Sequence, residues 1–411
     1  MNKYEIEQFR KEHGVHGFVD ALGCLLEGVK LPNGYDKRID PFALSVGSMW
    51  EALVGSIGET LPLRGNLAEA GALDHTGFPT ATEKLIATVM IREYDRHRGV
   101  ADQLVPNSYE PRTLTERIPG FTSLDTPKNV LPGEDYPMST FADKFATYEE
   151  ALHNKKEGIE LAMTEEVVRF DQTGMILRRA QNIGRNIQIE RERRTVRAIL
   201  GIGKETGTDL NGVYFPSGTD TALYRASENN LRTNAAPIFN HPGKTADSKL
   251  EDYTDLQEVL TVHAQNIKDD RQLGTTRPIA WNPNAILTPM ALASTGANIV
   301  NATQILWNRN TAADPELRTS SPNPLASMFA AFGANLPTPV SSVYADEVSS
   351  TVWVMYDRES AFLRINIFPF QVFRSPAGYG WKNDVLVSFR AREWTRVVAL
   401  DHKLAVRNNG A

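Results

Sequence analysis

Residues 155–201 read KKEGIELAMTEEVVRFDQTGMILRRAQNIGRNIQIERERRTVRAILG. The stretch opens as a strand and passes, with no linker, into a helical pattern. Ile159, Leu161 and Met163 alternate with Glu160 and Ala162, the period of a strand with one buried face. Lys156-Glu157-Gly158 supplies a turn before it. Thr164 closes the strand and suits a helix N-cap, and Glu165 and Glu166 complement the positive end of the helix that follows. The pattern predicts a helix from about 165 to 200, which at 1.5 Å per residue is about 54 Å long. Ile176, Ala180, Ile183 and Ile187 form an apolar stripe at i, i+4, i+7 and i+11.

The same stripe, continued, lands on Arg191 and Arg194. In the far half of the helix, Arg185, Arg191, Arg193, Arg194 and Arg197 stand against only Glu190 and Glu192, and Glu190–Arg194 is a favourable i,i+4 pair. That half is polar nearly all round, so its partners are expected from outside the helix. Three readings are open: a solvated face, a nucleic-acid contact, or contact with acidic surfaces of another subunit through guanidinium–carboxylate pairs.

On the N-terminal side, residues 1–95 are punctuated by Gly and Pro and predict short elements draped over something else. Residues 100–145 carry six prolines and little periodicity. A stretch that long without its own core is functional or needs support from a neighbour. On the C-terminal side, 201–250 is loop-rich, with weak strand signals in NGVYF and TALYRAS. Two overlapping capping boxes, Thr254 with Gln257 and Asp255 with Glu258, open a helix to about 271. Strand pieces are expected at 278–281 and 285–288, then a helix with Thr288 as N-cap and Pro289 at its first position. The end is β in character: 350–357, 361–373 and 383–400, the last two long for strands.

The chain has 411 residues, a net charge of −6, 41% hydrophobic and 23% charged residues, an ordinary balance for a folded protein of two or three domains. A single cysteine, Cys24, excludes an internal disulfide or a multi-cysteine metal site and is read as a small buried apolar residue. No apolar run approaches a membrane span, and the first residues carry no signal-peptide segment, so folding in a cytoplasm and no membrane partner are expected. Enzymatic signatures fail. His13 and His16 are spaced HxxH but without the HExxH context, and no GxSxG occurs. GIGKETGT at 201–208 follows a helix where a phosphate loop follows a strand, so Gly201 or Gly203 is expected to cap the helix C-terminus. The acidic pairs Glu134-Asp135, Glu149-Glu150 and Asp269-Asp270 read as solubilising charge. No catalytic, cofactor or metal residue is assigned.

In order, the chain gives an extension, a proline-punctuated arm, an excursion that returns through a strand, a very long helix, a mixed middle and long closing strands. That order resembles the major capsid protein of tailed bacteriophages, the shell fold named after phage Hong Kong ninety-seven. VLPGEDYPMSTFADKF followed by KKEGIELAMTEEVVRFDQ is similar to the family's extended loop running into its spine helix. YTDLQEVLTVHAQNIKDDRQLGTTRPIAWNPNAILTPMALASTGANIV resembles the axial-domain helix, strand and hydrophobic-Pro-x-x-Leu helix. FRAREWTRVVALDHKLAVRN resembles the closing strand and final turn. The likeness spans about 100–411.

The resemblance implies an α+β fold: an N-terminal extension (1–95), N-arm and extended β-hairpin loop (96–163), peripheral domain with the spine helix (164–250), axial domain (251–360) and closing strands (361–411). It implies self-assembly into pentamers and hexamers around double-stranded DNA held without sequence specificity. Portal, scaffolding and decoration proteins are further partners, no cofactor is needed, and the place is the virion after assembly in the host cytoplasm. Candidate inter-subunit residues are Lys128, Glu134, Tyr136, Phe141 and Lys144 in the excursion, and Arg185, Arg191, Arg193, Arg194 and Arg197 on the helix. An encapsulin-like or gene-transfer-agent shell shares the fold. An α+β cytosolic enzyme and a non-specific nucleic-acid binder are the rivals from other classes.

Overall fold

The alternation at 159–163 does form a strand, β4 (Glu157–Thr164), paired antiparallel with the long β11 (Val385–Ala399) in the register Met163↔Val387, Leu161↔Phe389. Leu161 and Met163 are buried, whereas Ile159 stays exposed. The computed structural model describes residues 44–47, 49, 77–97, 99–111, 115–120, 146–151, 157–169, 174–202, 224, 249–266, 281–308, 318–331, 333, 335–374, 385–399 and 404–408. They divide into two units interleaved in sequence, one made of 1–99, 155–190 and 368–394, the other of 100–154, 191–367 and 395–411.

In the first unit, α1 (Gly77–Arg96) lays Ala81, Leu85, Ile86, Val89 and Met90 along one face. These residues share a core with Leu161 and Met163 of β4, Val387, Phe389 and Ala391 of β11, and Leu44, Val46 and Met49. The helix that completes this core is not the single rod expected from 165. A short α3 (Glu165–Arg169) starts on the cap formed where the Val167 N–H donates to Thr164 Oγ1 at 3.4 Å. The main helix, α4 (Met175–Ile199), begins one residue past Gly174, whose φ of 66° is left-handed and cannot belong to a right-handed helix. Its 25 residues span about 37 Å. Ile176, Ala180, Ile183 and Ile187 are all buried, as the stripe required. Each such buried Leu or Ile contributes about 1.5–3 kcal/mol.

Two close approaches fix this packing. A Cβ on Gly184 of α4 would lie 2.4 Å from the Met90 carbonyl oxygen, so only glycine lets α1 and α4 approach so closely. Tyr94 stacks on Phe370 of β10 (Phe362–Arg374) at 4.4 Å between ring centres, and its hydroxyl donates to the buried Glu393 carboxylate at 3.0 Å. The long α1 departs from the short, draped elements expected before residue 95. Its signal was the apolar set 81, 85, 86, 89, 90, outweighed by the surrounding Gly and Pro.

The second unit is built on a four-stranded sheet in the order β12-β9-β5-β8, with β5 (Ala285–Pro289), β8 (Thr338–Ser342), β9 (Trp353–Tyr356) and β12 (Ala405–Asn408). β5 runs parallel to β8 and antiparallel to β9. Alternate residues enter different cores: Ala285, Leu287, Val354, Tyr356 and Ala405 one, Ile286, Trp353, Met355 and Val406 the other. A sheet buried on both faces explains why these strands read as unbroken apolar runs. One core is closed by Val196 and Ile199 of α4 with Leu104 of α2 (Ala101–Leu104), Phe362 and Val397, and the short β1 (Ser108–Tyr109) pairs parallel with β10. The other is closed by α5 (Tyr253–Asn266), α6 (Ala293–Asn301) and α7 (Pro324–Ala331) through Leu256, Leu260, Ile299, Val300 and Phe329.

Two helix starts differ from the sequence reading. Asp252 caps α5 by accepting from the Thr254 N–H at 2.7 Å, while Asp255 reaches back to the Asp252 N–H at 3.0 Å. This capping box sits two residues before the one expected at Thr254. Thr288 and Pro289 belong to β5, and Thr288 Oγ1 bonds Ser341 Oγ at 2.8 Å instead of capping a helix. A single tight turn, Met290–Leu292, intervenes before α6, and its N–H groups at Met290 and Ala291 donate to the Asp346 carboxylate at 2.8 and 3.3 Å. A carboxylate from a distant segment caps this turn, which local sequence cannot reveal.

Also in the second unit, β2 (Thr115–Gly120) pairs antiparallel with β3 (Ala146–Ala151), from Thr115↔Ala151 to Gly120↔Ala146. β6 (Gln304–Asn308) pairs with β7 (Arg318–Pro322) in the same sense. Cys24, the pieces at 278–280 and the weak strands of 211–227 lie outside the described residues, apart from Tyr224.

Candidate functional site

The two halves of α4 carry the residues that sequence reasoning singled out, and each half belongs to a different unit. The half from Arg191 onward is the part whose partners the sequence places outside the helix. Among the described residues, acids and carbonyls far along the same chain meet those arginines. Arg191 Nη2 donates to Asp102 Oδ1 at 2.5 Å, and Arg364 Nη1 donates to the same oxygen. Arg193 Nε donates to Glu347 Oε2 at 2.8 Å, and Arg194 Nη1 donates to the Thr395 carbonyl at 2.8 Å. Arg197 is buried and also engaged. Glu192 accepts from Ser342 Oγ at 2.9 Å. Asp102 and Glu347 are sites that the sequence did not single out. Each gains its meaning only when segments 89 and 154 residues away fold beside the helix.

The end of α4 is closed with equal care. Gly201 takes a φ of 76°, its N–H donates to Ala198 O, and the Ile202 N–H donates to Arg197 O at 2.9 Å. This is a Schellman ending, the capping role expected of Gly201. Tyr224 donates to the Ile199 carbonyl at 2.7 Å, and Arg407 Nη1 donates to the Leu200 carbonyl at 3.0 Å. The Arg407 guanidinium also lies 4.9 Å from the centre of the Tyr224 ring. Burial drives the Tyr224 hydroxyl far above its ordinary pKa, while the Arg407 charge pulls it part of the way back. Tyr356 is shifted upward by burial too, and its hydroxyl donates to the Leu104 carbonyl at 2.9 Å.

In the other half of α4, Arg185 is exposed. Lys128, Glu134, Tyr136, Phe141 and Lys144 lie outside the described residues, between the paired ends of β2 and β3. Among the described residues no group of histidine, cysteine or acidic side chains could hold a metal ion, and no helix is long and apolar enough to cross a membrane.

A sequence model described as phage capsid protein matches residues 149–408, well over half the chain and all of α4, the two-faced sheet and the long closing strands. The chain belongs to the phage capsid protein family. Its α+β fold is that of a capsid shell protein, as the resemblance implied, and its part is that of a major capsid protein. No curated protein matches its sequence. Similar solved structures include a virus-like particle from Pyrococcus furiosus, at 10% identity and a TM-score of 0.40, covering 79% of this chain and 98% of that one. The capsid of Myoviridae phage XM1 is similar at 9% identity and a TM-score of 0.40, covering 75% and 91%. The capsid of an empty GTA particle is similar at 11% identity and a TM-score of 0.41, covering 76% and 91%. Membership rests on the match over 149–408.

Proposed function

We propose that copies of this capsid protein associate as pentamers and hexamers into a closed shell around double-stranded DNA, acting as structure and not as catalyst. The family match carries the reading. The fold supports it at the excursion, where, among the described residues, β2 and β3 pair only with each other and bracket the 25 residues from 121 to 145. We assign that excursion to a neighbouring copy, with Lys128, Glu134, Tyr136, Phe141 and Lys144 as its contact residues. Obligate interfaces of this kind bury about 2,000 Å² or more. Assembly takes place in the host cytoplasm, and portal, scaffolding and decoration proteins are the partners such a shell calls for.

The test is negative-stain electron microscopy with sedimentation of the expressed full chain. Rings of five and six subunits or closed particles are expected. A stable monomer at every concentration and salt tried overturns the proposal.

A further inference from the structure

Arg191, Arg193 and Arg194 are paired within the chain, and the first half of α4 carries a different set of cations. From Gly174 to Ile189 the sequence holds three arginines and no acidic residue. Arg178, Arg179, Asn182, Arg185 and Asn186 are all exposed. At 100° per residue they occupy the arc of α4 opposite Ala180, Gly184 and Ile187, which face the core. No ion pair among the described residues involves any of the three arginine side chains. Arg178 and Arg185 are two turns apart, about 10 Å along the axis.

We infer that this stripe on α4 is a contact for the phosphate backbone of double-stranded nucleic acid, made without base readout. The inference deepens the shell reading and rests on it for the identity of the polyanion; the charge argument stands on the helix itself. Duplex DNA presents a charge every ~1.7 Å along its axis, so a rigid 10 Å row of guanidinium groups meets several phosphates. Arginine and asparagine are side chains that donate to phosphate oxygens. A contact between protein copies normally centres on buried aromatic or aliphatic anchors, and this arc offers Met175 at its start and the half-buried Ile189 at its end, with five polar side chains between them. The overall charge of −6 keeps such attraction local, so the wall as a whole does not grip the polymer.

The experiment uses the full chain and a random-sequence DNA duplex, with affinity measured by fluorescence anisotropy over a salt series. Replacing Arg178, Arg179 and Arg185 together by Gln is expected to reduce the slope of log K against log [salt] by about 2–3, at 0.9 per lost phosphate contact. The triple Lys variant is expected to keep the slope. Sedimentation and thermal melts are run on the same samples. A Gln variant with the wild-type slope overturns the inference, and if it also fails to assemble, the stripe belongs to a neighbouring copy. If the triple Gln variant does not fold, the three single variants decide, each expected to lower the slope by about one; three unchanged slopes overturn it. A wild-type chain that binds DNA through the stripe but never forms particles retains this inference and removes the shell reading.

Discussion

Gly184 shows how much can depend on one missing atom. In an isolated helix alanine is favoured over glycine by about 1 kcal/mol, so Gly184→Ala looks stabilising by propensity. The fold reverses the sign, because the added Cβ would meet the Met90 carbonyl oxygen at 2.4 Å and backbone cannot swing aside as a side chain can. Overpacking of this kind costs about 1–3 kcal/mol. Chemical denaturation of the dissociated subunit is expected to show a net loss, and an unchanged or raised midpoint would refute the crossing. Arg407 is the counterpart in the second unit. Arg407→Ala leaves the Leu200 carbonyl without its donor, empties buried space and lets the Tyr224 ring lose its cation, with an expected cost of about 2–4 kcal/mol. Tyr224 adds a pH signature. Its raised pKa means that the unfolded hydroxyl ionises first, above about pH 10, so its contribution is complete below that pH and is lost above it. Tyr224→Phe is expected to flatten the alkaline fall in melting temperature. An alkaline limb as steep as the wild type's contradicts the burial.

At the scale of elements, α4 separates what local pattern can reveal from what it cannot. Its apolar stripe, its C-terminal glycine cap and the strand before it were all readable, because each depends on residues within a few turns of one another. The break at Gly174 was harder, since glycine within an apolar periodicity is compatible with a continuous helix until its φ is known. The partners of Arg191, Arg193 and Arg194 were not readable at all. Asp102, Glu347 and the Thr395 carbonyl reach them only through tertiary folding, so no local pattern could name them as partners of the helix. The same reason hid Asp346 as the cap of the turn after β5. The pairing makes a definite claim about Arg191→Ala. It removes a charged hydrogen bond to Asp102, an acid that is partly exposed and retains Arg364, so a modest loss of about 1 kcal/mol is expected in the subunit before any assembly. A subunit melting curve identical to wild type, with a defect only in particle formation, would return this arginine to the interface between copies.

At the scale of the molecule, each unit has its own core among the described residues, and the 121–145 excursion lies outside those residues. That division makes it possible to separate folding from assembly. Gly120 and Ala146 stand directly opposite each other at the end of the β2–β3 pair, the separation that a two-residue turn closes. Replacing 121–145 by Asn-Gly therefore shortens the hairpin without asking either strand to move. Closing a shorter loop also lowers the entropic cost of pairing β2 with β3, since that cost grows with the logarithm of loop length. The subunit is expected to keep its far-UV circular dichroism and to melt within a few degrees of the wild type. Electron microscopy is expected to show no closed shells, on the proposal that the excursion makes its contacts on a neighbouring copy. Closed particles from the shortened chain would mean that copies adhere through the folded units themselves, and the excursion would then need another role.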